Sequence, residues 1–292
     1  MNRPTFPERC FDMVNGLFLT ALMLLTIYPI IYVAFASVSD AGQLMAFNGI
    51  LWKPLGLSFD AYSSVFANPN ILKGYFNTFF VVVVGLMFNI LLTSLGAYSL
   101  SRKSLGYRKP IMLFIVFTMF FSGGLIPFYL TVKGVGLANT LWALIIPQAI
   151  NTFNLILMKT AFESIPDALE ESAKMDGAND FVILFRIILP LSMPVIAVML
   201  LYYGVSHWNS WFHALIFLQD RSMYPLQLIL REILLQGEAS AMAVGASDSD
   251  VAMLSVTLKY ATIIVATVPI LLVYPFLQKY FVKGALIGAI KG

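Results

Sequence analysis

Charge is scarce in this sequence. Of its 292 residues, only 11% are Asp, Glu, Lys or Arg, whereas 59% are hydrophobic. A soluble globular domain averages about 25% charged and about 45–50% apolar residues. Most of the surface therefore cannot face water, which excludes a soluble enzyme, a nucleic-acid-binding domain and a disordered protein. The net charge of +3 is too small to suggest a nucleic-acid partner. The class that remains is a helical integral membrane protein.

Cysteine and histidine are also rare, with one cysteine and two histidines in the whole chain. The lone Cys10 excludes an internal disulfide and a zinc or iron–sulfur site with several cysteine ligands. Because His207 and His213 lie six residues apart, they would point about 240° apart on a continuous helix and could not share a metal ion. We expect both to be interfacial side chains beside Trp208 and Trp211, in an aromatic belt.

Catalytic patterns are missing as well. The sequence contains no glycine-rich nucleotide-binding loop and no acid–base pair at catalytic spacing. We therefore predict a chain that is not an enzyme and that holds no metal and no cofactor. Such a chain needs a partner as its source of energy.

Long apolar runs, by contrast, are abundant. A helix of about 20 residues crosses the roughly 30 Å of bilayer hydrocarbon, and six stretches without an interior charge fit that length. These predicted spans are residues 13–36, 77–100, 111–132, 140–158, 187–206 and 260–277. The predicted fold class is an all-α integral membrane protein with six transmembrane helices, built as one transmembrane domain over residues 1–292.

The distribution of basic residues predicts the orientation of these spans. Of the 18 lysine and arginine residues, twelve fall on the side of the two termini and six on the other side. The positive-inside rule therefore places both termini in the cytoplasm. The densest cluster is the turn at residues 101–110, in which four residues are basic and none is acidic.

Two long segments, residues 37–75 and 207–259, then lie outside. Within the second, residues 224–235 are apolar with a helical period, which predicts an interfacial helix. Gly237 is its predicted end. The small and polar residues 239–250 predict a mobile loop.

Ionisable residues are absent from the six predicted spans, although such residues normally mark ion and proton pathways in membranes. The uncharged polar residues of the spans have two interpretations: hydrogen bonding between helices, or a pathway for a hydroxyl-rich solute. The pathway candidates are Asn89, Gln148, Asn151, Asn154, Tyr202 and Tyr203. An ion-coupled secondary transporter of a polar solute is the alternative function. A membrane protein that binds a partner without transporting anything is a third hypothesis.

The most informative segment is the cytoplasmic loop at residues 162–187, which we call the elbow. Ser164 and Pro166 predict the start of a short helix, and Gly177 predicts its end. Asn179 or Asp180 can cap the helix that follows. On the short helix, one predicted face is apolar or small and the other is charged. The residues of the first face are Ile165, Leu169, Ser172 and Ala173, and those of the second are Asp167, Glu170, Glu171 and Lys174.

A helix of about ten residues is marginal alone and must dock onto something. The excess of acidic residues disfavours an anionic lipid surface, so we expect a protein partner. Such a partner would also explain how a chain without ionisable spans is driven.

A motif in the elbow carries a family resemblance. The pattern E-S-A-x3-G-x9-I-x-L-P begins at Glu171 and ends at Pro190. It resembles the E-A-A-x3-G-x9-I-x-L-P loop of the permease subunits of ABC importers, and departs from it only at Ser172. The surrounding residues are similar to the carbohydrate-importing, maltose-type branch, and the resemblance extends over the chain from Met13. The run at residues 274–292 resembles the branch for larger oligosaccharides and polysaccharides, including alginate.

The resemblance implies a type I-like ABC importer permease in a bacterial inner membrane, whose short cytoplasmic helix couples to an ATPase. The implied coupling residues are Asp167, Glu170, Glu171, Ser172, Ala173, Asp176, Gly177 and Ala178. The residues implied to contact a binding protein are Ala239, Met242, Gly245 and Ser247. The implied partners are a second homologous permease in a heterodimer, two ATPase subunits that bind ATP and Mg, a periplasmic or lipid-anchored solute-binding protein, an oligo- or polysaccharide, and membrane lipid.

Overall fold

The computed structural model describes residues 6–243, 256–273 and 275, with the backbone alone at 236–243. These residues form helices and no strands. The first helices are α1 (Phe6–Ser37), α2 (Ala41–Ala46), α3 (Asp60–Ala67), α4 (Pro69–Ser101) and α5 (Arg108–Phe120). They are followed by α6 (Leu125–Gly134), α7 (Trp142–Ile145), α8 (Thr152–Glu163), α9 (Asp167–Met175) and α10 (Asp180–Ile183). The last are α11 (Leu189–Leu191), α12 (Met193–Trp208), α13 (Trp211–Phe217), α14 (Leu226–Ala243) and α15 (Val256–Val273).

Three described helices, α1, α4 and α15, are long and apolar enough to cross a membrane unbroken. Two further helix pairs are together long and apolar enough, but each bends sharply: by 116° between α5 and α6, and by 86° between the α10–α11 segment and α12. An all-helical membrane fold is thus confirmed. The third, fourth and fifth predicted spans are each interrupted in the structure.

Glycine and proline explain the two bends. Between α5 and α6, Gly124 has φ +85°, a conformation that side chains with a Cβ rarely adopt. At the second bend, Pro190 in α11 and Pro194 in the first turn of α12 each lack the N–H that an unbroken helix needs. A π-helical turn, Leu184–Ile188, precedes Pro190, and such turns commonly accompany a local break in the helical ladder.

The fourth predicted span, residues 140–158, is broken in its middle. It consists of α7, a 3₁₀ turn at Ile146–Gln148, and α8, with residues 149–151 outside any helix. Asn151 caps α8, because its Oδ1 accepts a hydrogen bond of 3.1 Å from the backbone N–H of Asn154. An apolar run of sufficient length is therefore not a single helix here.

The chain divides into two compact units. The first comprises residues 1–69 and 230–268. In its described part, a small core of Ala36, Leu44 and Leu51 is covered by aromatic side chains. Polar contacts reinforce that core, since the hydroxyl of Tyr62 donates to Ser37 Oγ at 2.8 Å.

The second unit comprises residues 70–229 and 269–292 and contains the elbow. Its largest core joins α4, α8, the 180–188 segment and α12. Lipid tails are as apolar as leucine, so apolar burial stabilises such a core less than it would in water. Packing and hydrogen bonds must therefore specify how these helices fit together.

The prediction for the second outer segment is wrong in two respects. The helix at residues 224–235 exists, but α14 runs on through Gly237 to Ala243. Residues 239–243 of the predicted mobile loop are therefore helical. Its remainder, residues 244–250, lies outside the described residues.

Candidate functional site

The short helix of the elbow, α9, ends as the sequence predicts. Gly177 has φ +83°, its N–H donates to Lys174 O at 3.0 Å, and the N–H of Ala178 donates to Ala173 O at 2.9 Å. These two bonds form a Schellman motif, in which a glycine in the left-handed region satisfies the last carbonyls of a helix. Asn179 then caps α10 by accepting from the Val182 N–H, as predicted.

The start of α9 is different from the prediction. Pro166 occupies the capping position and makes no side-chain capping bond. The hydroxyl of Ser164 donates backwards, to Ala161 O at 2.7 Å. The proline is therefore placed as expected for a helix start, but no capping box forms.

The exposure of α9 does not follow its two predicted faces. Glu170, predicted on the charged face, is only 8% exposed. Leu169, predicted on the apolar or small face, is exposed. The helix turns Glu170 inwards because two cations of this chain bind it there.

These cations form an ion-pair network behind α9. Arg102, at the end of α4, donates through one terminal nitrogen to Glu170 Oε2. Lys174 Nζ binds Glu170 Oε1 at 2.8 Å and lies 3.5 Å from Asp180 Oδ1. Lys103 pairs with Asp167 at 2.6 Å on the outside of the same junction. The basic turn at 101–110 therefore holds the acidic elbow.

Sequence reasoning missed Arg102. The signal was present, since the turn at 101–110 is the densest basic cluster in the chain, but it was interpreted only as a marker of orientation. The partner, Glu170, lies 68 residues away, beyond the reach of a helical periodicity.

The ion-pair network lowers the pKa of two acidic side chains in the elbow. Burial alone would raise the pKa of Glu170, but the hydrogen bond from Lys174 and the charge and hydrogen bond of Arg102 outweigh it, so that this pKa lies below its usual value. The hydrogen bond from Lys103, together with its charge, lowers the pKa of Asp167. Both groups are therefore carboxylates at neutral pH.

The outer surface of α9 is left free within this chain's described residues and has a mixed character. Met175 is 88% exposed, and Leu169 is exposed as well. Between them lie the exposed Glu171 and Ser172. A short helix with two exposed apolar side chains beside a carboxylate fits a protein surface better than water. The other predicted coupling residues, Asp176, Gly177 and Ala178, form its end, with Ala173 half-buried.

A second site is a cavity of about 620 Å³ between the broken fourth span and α12, which we call the central cavity. Five of the six predicted pathway residues line it: Gln148, Asn151, Asn154, Tyr202 and Tyr203. The other lining residues are Pro147, Ile150, Phe153, Leu201, Val205, Ser206 and His207. None of the lining residues is a lysine, arginine, aspartate or glutamate. Hydroxyl and amide groups with aromatic rings can bind a polyol, but they cannot neutralise a carboxylate.

Asn89, the sixth predicted pathway residue, is buried outside the cavity lining. Its Nδ2 donates to Gln148 O at 2.7 Å and to Ala149 O at 3.0 Å. These carbonyls belong to the break in the fourth span, where the helical ladder cannot satisfy them. In this structure Asn89 is therefore a hydrogen-bonding group between α4 and the fourth span.

Tyr203 supports the same break from the other side. Its hydroxyl accepts from the Asn151 N–H at 2.9 Å and lies 2.8 Å from Thr93 Oγ1. Tyr202, its neighbour, is exposed beside the cavity. Adjacent tyrosines thus have separate roles, with Tyr203 holding the backbone and Tyr202 facing open space.

His207 contradicts the expectation of an interfacial side chain. It is buried, and its Nε2 donates to Asn89 Oδ1 at 2.7 Å. Gly85 makes room for the ring, since a Cβ at that position would come within 2.6 Å of His207 Nε2. His213 is tied to the fourth span, because Gln148 Nε2 donates to its Nδ1 at 2.9 Å.

The remaining predicted site residues are not tested by the structure. Ala239 and Met242 belong to α14, in a part where the structure describes the backbone alone. Gly245 and Ser247 lie outside the described residues. Within the described ranges, no group of three or more His, Cys, Asp or Glu side chains is placed to hold a metal ion.

Comparison with known proteins identifies the class. Residues 86–286 match the family described as "Binding-protein-dependent transport system inner membrane component". This match covers more than half of the chain, including the elbow and the central cavity. The chain therefore belongs to that family of transport permeases.

Individual relatives agree with this assignment. The chain is 45% identical over 290 residues to the polygalacturonan/rhamnogalacturonan transport system permease protein YtcP of Bacillus subtilis (strain 168), covering 98% of this chain and 99% of that protein. It is 42% identical to protein LplC of the same organism, covering 97% and 96%. A crystal structure of a bacterial ABC transporter involved in the import of the acidic polysaccharide alginate contains a chain with TM-score 0.86 and 32% identity, covering 96% of this chain and 100% of that one.

Proposed function

We propose that this chain is one of two permease subunits of an ATP-driven, binding-protein-dependent importer of oligo- or polysaccharide. It would form half of the translocation pore in a bacterial cytoplasmic membrane, with both termini inside. The observation that carries the proposal is the elbow: α9 is fixed to the chain on one side and presents an exposed apolar and acidic surface on the other. Membership of the transport family and the similarity to saccharide permeases support it.

In this proposal the chain is not an enzyme. ATP and Mg bind to two cytoplasmic ATPase subunits, and the outer surface of α9 docks onto one of them. A periplasmic or lipid-anchored protein delivers the saccharide to the outer side. The permease supplies two conformations of similar free energy, and the nucleotide and the loaded binding protein favour them in turn.

We propose that the substrate is a fragment of an acidic polysaccharide. This subunit would contact the hydroxyl groups and the ring faces of its sugars. The central cavity offers amides, tyrosine hydroxyls and an aromatic ring for such contacts. Two of the similar proteins handle acidic polysaccharides by name. Because the cavity lining contains no cation, the carboxylates of the substrate would be bound by the second permease or would remain hydrated.

The proposal is tested by purifying the tagged chain from its native membrane in mild detergent and assaying ATP hydrolysis. We expect an ATPase and a second permease to copurify, and hydrolysis to increase with the binding protein plus galacturonan or alginate oligosaccharides. Neutral oligosaccharides of the same length are the matched control. Recovery of the chain without an ATPase under every condition would contradict the proposal and favour the ion-coupled secondary transporter.

A further inference from the structure

We infer that Arg102 is a positioning residue that fixes the elbow to α4, so that α9 and the end of α4 move as one body during transport. The inference rests on the proposed function, and it assigns to one side chain the transfer of motion from the ATPase to the spans.

Arg102 joins α4, α8 and α9 at this junction. Besides Glu170 on α9, it binds Phe162 O at the end of α8, at 3.1 Å. Its Nε donates to Ser101 Oγ at 3.0 Å, and its guanidinium lies 4.9 Å from the centre of the Tyr98 ring on α4. All three guanidinium nitrogens are therefore engaged, which restricts the group to one orientation.

Glu170 is held as completely as Arg102. Each carboxylate oxygen binds a different cation, Oε2 taking Arg102 and Oε1 taking Lys174. The Arg102 and Glu170 side chains are only 12% and 11% exposed. A charge pair with this degree of burial is screened little by solvent and has fixed geometry, so it transmits displacement in either direction.

The neighbouring pair provides a comparison within the same turn. Lys103 and Asp167 also join the basic turn to α9, but their side chains are 81% and 58% exposed. Exposed ion pairs of this kind contribute little. If the basic turn only oriented the chain in the membrane, replacing Arg102 and replacing Lys103 would have the same effect. If the turn fixes α9 to α4, the replacement of Arg102 is the one that disturbs coupling.

The need for such a connection follows from the backbone on both sides of α9. The helix is flanked by Pro166 and by Gly177 at φ +83°, neither of which continues a helix. A force applied to the outer surface of α9 could turn it about these ends without moving the spans. The Arg102–Glu170 pair opposes that rotation.

The test replaces this pair by a removable covalent link. The double variant Arg102→Cys and Glu170→Cys is made in a Cys10→Ser background and purified as the full transporter complex. A short bis-methanethiosulfonate reagent then joins the two thiols, and a reductant cleaves the link. The complex is assayed before and after the thiols are joined. The measured quantity is the stimulation of ATP hydrolysis by the saccharide-loaded binding protein, relative to basal hydrolysis. Lys159→Cys with Glu163→Cys, an ion pair within α8, is the matched control.

We expect the unlinked variant to assemble with its ATPase subunits but to lose about tenfold in stimulation, a typical size for a coupling effect. The link should restore stimulation and the reductant should abolish it again. The control pair should respond like the unmodified complex in both states. Arg102→Lys, which keeps the charge but not the contacts to three elements, should give an intermediate value.

Full stimulation in the unlinked variant, or failure of the link to restore it in an assembled complex, would overturn the inference. If the variant does not assemble, Arg102→Lys decides: stimulation equal to that of the unmodified complex would mean that Arg102 acts only in folding. An unmodified chain that recruits no ATPase overturns the proposed function itself, which is a separate result.

Discussion

The elbow and the central cavity are built from side chains of contrasting chemistry. The inner side of the elbow is built from charges that are paired within the chain, with Glu170 held between Arg102 and Lys174. The cavity lining contains no Lys, Arg, Asp or Glu and combines amides, hydroxyls and rings with aliphatic side chains. Fixed ion pairs suit a part that must transmit force, whereas neutral groups suit a surface past which a polar solute must move. In the proposed function, the part that transmits force and the surface that the solute passes are therefore built from different side chains of the second unit.

The largest effect is expected at the end of α9. Gly177→Pro removes the N–H that binds Lys174 O and cannot reach φ +83°, which costs about 3 kcal/mol or more locally. We expect saccharide uptake and recovery of the ATPase to be abolished, with normal membrane insertion.

Gly136→Pro is the matched control for that variant. Gly136 has φ +76° and ends α6 with the same pair of backbone bonds, to Lys133 O and from Leu137 to Val132 O. It should retain the ATPase in copurification. Equal loss of the ATPase in both variants would show that the lesion is general and not specific to the elbow.

The second effect tests the support of the break in the fourth span. Asn89→Leu leaves His207 and the carbonyls of Gln148 and Ala149 without their partner. Each buried polar group left unsatisfied costs about 1–3 kcal/mol, so we expect a large drop in thermal stability in detergent. The exposed Asn209→Leu should change stability by only about 0.5 kcal/mol. A stable Asn89→Leu variant would refute the supporting role.

The third effect distinguishes the roles of the adjacent tyrosines, Tyr202 and Tyr203. Tyr203→Phe removes the hydroxyl that binds the Asn151 N–H and Thr93, and should lower stability by about 1–2 kcal/mol. Tyr202→Phe should leave stability unchanged and raise the KM for uptake. The two variants are compared by thermal unfolding and by transport kinetics. Exchange of the two phenotypes would reverse the assigned roles.

The smallest effect is a dependence on pH in the elbow. Because the folded pKa of Glu170 lies below its usual value, its ionisation stabilises the elbow fully above the unfolded pKa, about 4.3, and this contribution is lost as pH falls through the folded pKa. Release of the ATPase on acidification should therefore begin only below about pH 4.3, and Glu170→Gln should weaken this dependence. An unchanged acid profile in that variant would assign the dependence to other groups.

The sequence alone predicts the membrane class, the elbow motif, the end of α9 at Gly177 and the cap at Asn179, because each depends on neighbouring residues. It does not predict the burial of Glu170, since a charge is expected to face water and the partner Arg102 is distant in the chain. It likewise misplaces His207, whose burial depends on Asn89 and on the space left by Gly85.

The broken spans show a different limit of sequence reasoning. Pro147, Pro190, Pro194 and Gly124 all lie within or beside apolar runs of spanning length. Length and hydropathy predict one helix in each run, but the breaks are stabilised by distant groups such as Asn89 and Tyr203. Where a partner restores the backbone bonds, an interrupted helix is tolerated at membrane depth.

Photo-crosslinking tests whether α9 presents its outer surface to an ATPase. A photoreactive amino acid replaces Met175, which is 88% exposed, and the crosslinked partner in intact membranes is identified by mass spectrometry. The control carries the same amino acid at Trp52, an exposed position in the segment predicted to lie outside. We expect a crosslink to an ATP-binding subunit from position 175 and none from position 52. A crosslink from position 175 to lipid alone, in cells that carry out uptake, would contradict this expectation.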